Sequence, residues 1–231
     1  MRPISGFSDC APRSRMHDAF APLLVASPGS GRPGSPNLSS RFSAASLVLQ
    51  RTHPAARVAL VGAYALCVEW ARVSIQAQPG LAIAALVMGG IALGAVAFGT
   101  PAERLGLGRS RIGLRIVGGL ALGAVLLLPA AARSGAVPLL PVGLAFAAIA
   151  VSIGEELAFR GALYAALDEL GGAPLAIAGS TVVWTAAHVL SHPPAFLGAV
   201  AAAGLLLALW RWACRDLVAP IIGHVIADLA L

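Results

Sequence analysis

The sequence predicts an all-α membrane protein: a polytopic bundle of about seven transmembrane helices behind a disordered N-terminal tail. Three observations carry that prediction. The 231 residues are 58% hydrophobic and 11% charged, whereas a soluble domain of this length carries about a quarter charged residues. The apolar residues come in long blocks separated by short charged or Pro/Gly-rich breaks, a pattern of spans rather than of one buried core. The arginines fall into segments that alternate in a regular way with those blocks.

Residues 1–50 are rich in Ser, Pro, Gly and Arg, and the run SPGSGRPGSPNLSS (27–40) has too little apolar surface to fold by itself. We expect a disordered cytoplasmic tail. The stretch AFAPLLVAS is short and broken by Pro22, with no convincing cleavage site after it, so it makes a poor signal peptide. The remainder, 51–231, is expected to form one domain within the membrane.

Seven apolar segments follow, at roughly 56–75, 81–99, 112–129, 138–160, 174–190, 195–212 and 217–231. Each is long enough for a hydrocarbon core about 30 Å thick, although the last is short. Backbone polar groups must be satisfied internally in lipid, so the segments are helices. The glycines at 89, 90 and 94 and at 118, 119 and 123 suit close helix packing.

Arginines gather in the tail (Arg41, Arg51, Arg57), in 101–115 (Arg104, Arg109, Arg111, Arg115) and at Arg211 and Arg215, while the alternate loops hold only Arg133. All the rich segments lie on one side of a seven-span chain, which puts the N-terminus in the cytoplasm. The loop PAERLGLGRSR (101–111) has the mixed character of an interfacial turn or an ordinary cytoplasmic loop. The net charge of +6 comes from arginine alone, with no basic stripe and no interleaved aromatics. That distribution suits anionic lipid and topology control and argues against nucleic acid as a partner. Cys10, Cys67 and Cys214 have neither metal nor disulfide spacing.

Ionisable residues inside spans are expensive, at about 2.5–3.5 kcal/mol each on insertion scales, and this chain places them on three separate segments. The fourth ends in GEELAFRGAL, where Glu156 and Arg160 are spaced i, i+4 with the acid first, the better orientation for an ion pair. Adjacent Glu155 points about 100° away on a helix and stays free to act as a general base. The bland reading is that both acids anchor a helix end. The fifth segment carries Trp184 and His188 one turn apart, with His192 at its boundary, capping the helix or facing water before Pro193-Pro194. A single histidine in a span is often only a packing residue. The seventh carries His224 and Asp228 on one face, a pairing in which the carboxylate can orient the imidazole. Glu69, Arg72 and Arg115 read as residues near the ends of the first three spans.

With these motifs in view, the chain resembles the CPBP family of CAAX proteases and bacteriocin-processing enzymes over about residues 100–231. Glu155-Glu156-Leu-Ala-Phe-Arg160 matches its EExxxR motif, Trp184 to His188 stands where the family has FxxxH, and His224 to Asp228 matches HxxxN/D. Trp184 in place of phenylalanine reads as an aromatic exchange at a packing position. The resemblance implies an intramembrane glutamic endopeptidase. In it Glu155 and His188 would activate water, His224 and Asp228 would polarise the scissile carbonyl and stabilise the oxyanion, and Glu156 and Arg160, with Trp184, would support them. No cofactor is needed in this reading; zinc on His188, His224 and a carboxylate is the variant, without HExxH spacing to support it.

The expected partners are the lipid bilayer and a peptide or protein cleaved close to the membrane. A prenylated C-terminus, a bacteriocin leader and a sorting tag all fit the family, and a lysine-free, Ala/Gly/Arg-rich composition suggests a GC-rich bacterium and its inner membrane, where a peptide or sorting tag suits better. The alternatives are a non-catalytic membrane scaffold or bacteriocin-immunity protein and, less well matched, a proton-coupled transporter. One geometric expectation conflicts with the rest. Counted from the arginine-bearing side, His188 lies about 21 Å along the fifth segment and His224 about 10 Å along the seventh, so straight, equivalent spans would not bring them level.

Overall fold

The computed structural model describes residues 53–78, 80–108, 111–128 and 140–230; the expected tail therefore lies outside the described residues. Helices α1 (Pro54–Gln76), α2 (Ala82–Ala95), the one-turn α3 (Ala102–Leu105) and α4 (Ile112–Leu126) lead to α5 (Val142–Glu155). A π-helical stretch (Glu156–Leu163) continues α5 directly into α6 (Tyr164–Ala187), and a 3-10 turn (His188–Leu190) precedes α7 (Pro194–Cys214) and α8 (Val218–Leu229). No strand occurs among the described residues. The protein is an integral membrane protein. By length and composition Pro54–Gln76, Val142–Leu190 and Pro194–Cys214 are long and apolar enough to cross a bilayer, and α2, α4 and α8 are shorter apolar helices.

Local chemistry sets several boundaries. Proline occupies the first turn of α1 and α7, where its missing N–H costs no hydrogen bond, and the His53 ring accepts from the Ala55 N–H at the start of α1. The fourth apolar segment is longer than its hydropathy suggested, because the helix runs past residue 160 through the π-helical stretch. It breaks only at Gly171 and Gly172, the latter at φ 75°, a left-handed value that strains any side chain with a Cβ. Pro174 then opens the return helix.

This break gives Glu155 and His188 a common height. Glu155 stands sixteen residues before Gly171 and His188 sixteen residues after Gly172, so each lies about 24 Å from the turn at 1.5 Å per residue. The α7–α8 turn sits at a different level. Arg211, near the end of α7, donates from Nε to the Arg160 carbonyl at 3.3 Å, and the Leu217 N–H bonds the Gly106 carbonyl at 3.0 Å. Helix α8 thus begins inside the bundle, close to Arg160, and its first turns suffice to bring His224 to Glu155. The mismatch in height came from measuring both histidines from one imagined surface.

Small residues allow close crossings. Gly90 on α2 and Gly154 on α5 meet backbone to backbone, with no room for a Cβ on either. Gly119 and Gly123 on α4 take up Ile222 and Ile226 of α8, and Gly118 takes Trp210 of α7. The interior is filled by Leu93, Phe159, Leu163, Trp184 and their neighbours. At the Gly171–Gly172 end of the bundle Glu169 bridges Arg57 and Arg104, while at the α7–α8 turn Arg115 pairs with Asp216 at 2.9 Å. The α3 loop packs against this turn, with Leu105 buried and the Arg104 carbonyl accepting from Arg211 Nη2 at 2.6 Å.

Candidate active site

The polar residues of α5, α6, α8 and the π-helical stretch converge in the interior. Glu155, the last residue of α5, is 2% exposed. Its Oε2 accepts a hydrogen bond from Trp184 Nε1 at 2.8 Å and lies 3.6 Å from His188 Nε2 and 4.0 Å from His224 Nε2. Helical distortions of this wide-turn type occur often at functional sites; here the π-helical stretch opens directly after Glu155.

The two histidines are oriented differently. His188 Nδ1 lies 2.8 Å from the Trp184 carbonyl, and since a carbonyl only accepts, Nδ1 carries a proton and Nε2 is the nitrogen turned toward Glu155. His224 donates from Nδ1 to Glu156 Oε1 at 3.0 Å, and its Nε2 faces Asp228 Oδ2 at 3.5 Å. Asp228 in turn accepts from the Ser152 hydroxyl at 2.7 Å.

Glu156 and Arg160 form the predicted pair, Oε1 to Nη1, at 3.0 Å, both fully buried. The rest of the Arg160 guanidinium lies over the Trp184 ring, 4.1 Å from its centroid, so a cation–π contact faces the nitrogens that lack a conventional acceptor.

Sequence reasoning missed two groups. Glu69 and Arg72, expected near the end of a span, are both buried on α1. Arg72 donates to Glu69 Oε2 from Nε and Nη2 and to Gln76 from Nη1, while Nη2 stands 3.8 Å from Glu155 Oε1. The available signal was their i, i+3 spacing in an apolar helix, which lets them neutralise each other. Ser152 is the second omission, one turn before Glu155–Glu156 on the same helix. Trp184 differs from its expected part, because it is a hydrogen-bond donor to Glu155 as well as a packing ring. His192 does not cap α7; it is half-buried, and its ring stacks on Phe196 at 5.4 Å. Burial, and then the neighbouring His188, push its pKa below the usual histidine value.

A cavity of about 760 Å³ reaches these residues, within the range of ordinary ligand sites. Its lining combines Arg72, Glu155, His188, His224 and Asp228 with apolar side chains that include Leu86, Leu126, Leu144 and Leu206. Among the described residues no three His, Cys, Asp or Glu side chains are grouped to hold a metal ion; the contact to Glu156 engages His224 through Nδ1 and leaves its Nε2, like that of His188, facing Glu155 Oε2.

Residues 137–230 match the family model described as Rce1-like, type II CAAX prenyl endopeptidase, a domain of the CPBP family. The match contains both glutamates, Arg160, Trp184, both site histidines and Asp228, and leaves out Glu69 and Arg72. It supports a membrane endopeptidase acting on a peptide or protein. No curated protein and no solved structure matches the chain.

Proposed function

We propose that the chain is an intramembrane endopeptidase that hydrolyses a membrane-proximal peptide bond with water activated by Glu155 and His188. The observation that carries this reading is the 3.6 Å separation of Glu155 Oε2 and His188 Nε2 on the cavity wall. One water molecule can donate to both acceptors across such a gap. Glu155 takes the proton as the water oxygen attacks the scissile carbonyl. His224, its Nδ1–H committed to Glu156, serves the developing oxyanion as the imidazolium, donating from Nε2. Three carboxylates, Glu155, Glu156 and Asp228, lie within 4.0 Å to balance that charge. The proton on Glu155 then passes to the leaving amine.

Glu156, Arg160 and Trp184 support this set. The apolar part of the cavity lining suits a substrate held in or against lipid, and an unprenylated peptide or sorting tag is the preferred class given the bacterial character of the composition. The protein sits in a bacterial inner membrane with its arginine-bearing end in the cytoplasm, a placement favoured by the positive-inside rule and by the meeting of Arg57 and Arg104 at Glu169.

The test uses purified protein in liposomes of phosphatidylethanolamine and phosphatidylglycerol. Two internally quenched probes are offered, a farnesylated C-terminal CAAX peptide and an unprenylated peptide tethered by an acyl chain. Cleavage of the acylated probe, lost by about 100-fold or more in Glu155→Gln, His188→Ala and His224→Ala and retained after chelation, is expected. Equal processing by all four proteins would sink the peptidase reading and leave a scaffold, loss on chelation would favour the zinc variant, and exclusive cleavage of the farnesylated probe would reverse the substrate preference.

A further inference from the structure

We infer that Trp184 is a positioning residue that orients both members of the water-activating pair, and that its indole N–H, beyond its ring, is what holds Glu155. Its main chain and side chain act on different partners. The Trp184 carbonyl accepts from His188 Nδ1 at 2.8 Å, which fixes the imidazole tautomer. The indole N–H donates to Glu155 Oε2, also at 2.8 Å. Among the described residues this is the one direct hydrogen bond that the Glu155 carboxylate receives; its other charged neighbours stand at 3.6 to 4.0 Å.

The ring is itself held on several sides. Arg160 covers one face at 4.1 Å, the His188 ring lies 4.6 Å away, and His224 meets it edge-on at 5.8 Å. Space for so large a ring comes from Gly204 on α7, where a Cβ would fall 2.6 Å from Trp184 Cε3 and 3.1 Å from Arg160 Nη2. A phenyl ring at position 184 would fill part of this volume and preserve the carbonyl contact to His188, but it has no donor for Glu155. The exchange of phenylalanine for tryptophan in the FxxxH-like motif is thus a change in the chemistry around the general base, with Gly204 as its steric counterpart.

The decisive comparison is Trp184→Phe beside a protein carrying a benzothiophene analogue at position 184, in which sulfur replaces the indole N–H at nearly unchanged shape. With the quenched liposome probes above, both are expected to lose kcat by about 10- to 100-fold with KM unchanged, and the analogue to keep the wild-type Tm. Gly204→Ala should lose kcat in the wild-type background and add little when residue 184 is Phe. Wild-type kcat in the analogue would overturn the inference, because its shape is preserved and only the donor is gone. The kinetic arm rests on the peptidase reading, so a second measurement is independent of it. In 15N-labelled protein the Trp184 indole resonance, identified by its loss in Trp184→Phe, should shift upfield in Glu155→Ala. An unmoved resonance shows that the hydrogen bond is absent and overturns the inference whether or not any probe is cleaved.

Discussion

His224 donates from Nδ1 to Oε1 of Glu156 across 3.0 Å, joining α8 to the π-helical stretch over 68 positions of sequence. The same oxygen receives Arg160, so one buried acceptor fixes a cation and an imidazole together. Removing it leaves the fully buried Arg160 without its counter-charge, a loss of about 3–5 kcal/mol in comparable cases. Glu156→Ala is therefore expected to lower Tm sharply in detergent. Glu156→Gln, which keeps an acceptor, should unfold at an intermediate temperature. Equal Tm values for Glu156→Ala and wild type would contradict the pairing.

The Gly171–Gly172 break sets the register of Glu155 against His188. One alanine inserted after Gly172 turns the return helix by about 100° and displaces it by about 1.5 Å. Activity should vanish. A second protein with the alanine inserted between α6 and α7, beyond His188, leaves this register untouched and should retain more activity, as the two turnover rates will show.

Ser152 and Asp228 separate orientation from charge. Ser152→Ala removes the hydroxyl that Asp228 accepts at 2.7 Å and should reduce kcat about 10-fold or less, since an intact carboxylate still faces His224. Asp228→Ala should reduce it further than Asp228→Asn, because asparagine keeps an oxygen for Nε2. Steady-state kinetics of the three variants give the order, and a reversed order would remove Asp228 from the proposed machinery.

Glu169 offers a contrast at the surface. It bridges Arg57 and Arg104 but is about a third exposed, and exposed ion pairs contribute roughly 0–1 kcal/mol. Glu169→Gln should leave kcat and KM unchanged and lower Tm by a small amount that shrinks further in high salt.

The span pattern and most of the polar cluster were legible in the sequence because lipid imposes one rule on every residue. Apolar blocks must be helical, and any charge within them needs a partner or a task. Glu155, Glu156, Arg160, His188, His224 and Asp228 therefore stood out. Glu69 and Arg72 did not, although both are buried, since their mutual neutralisation removes the anomaly that makes a lone charge conspicuous. The part played by Trp184 was hidden for another reason: a donor is useful only relative to an acceptor 29 positions away, and helical spacing says nothing about that distance. The heights of His188 and His224 could not be read either, because hydropathy registers a span's apolar length but not whether the chain turns back at the lipid surface or within the bundle.

The meeting of Gly90 and Gly154 bears on how this domain can be divided. The residue next to the proposed general base is pressed against the main chain of α2, a helix outside the stretch 137–230 that matches the family model. A fragment confined to that stretch would keep every motif residue and lose the backbone against which Glu155 is registered, along with the Arg72 guanidinium at its other oxygen. The inherited motif is thus portable as sequence, whereas the rigid floor beneath it belongs to the N-terminal helices.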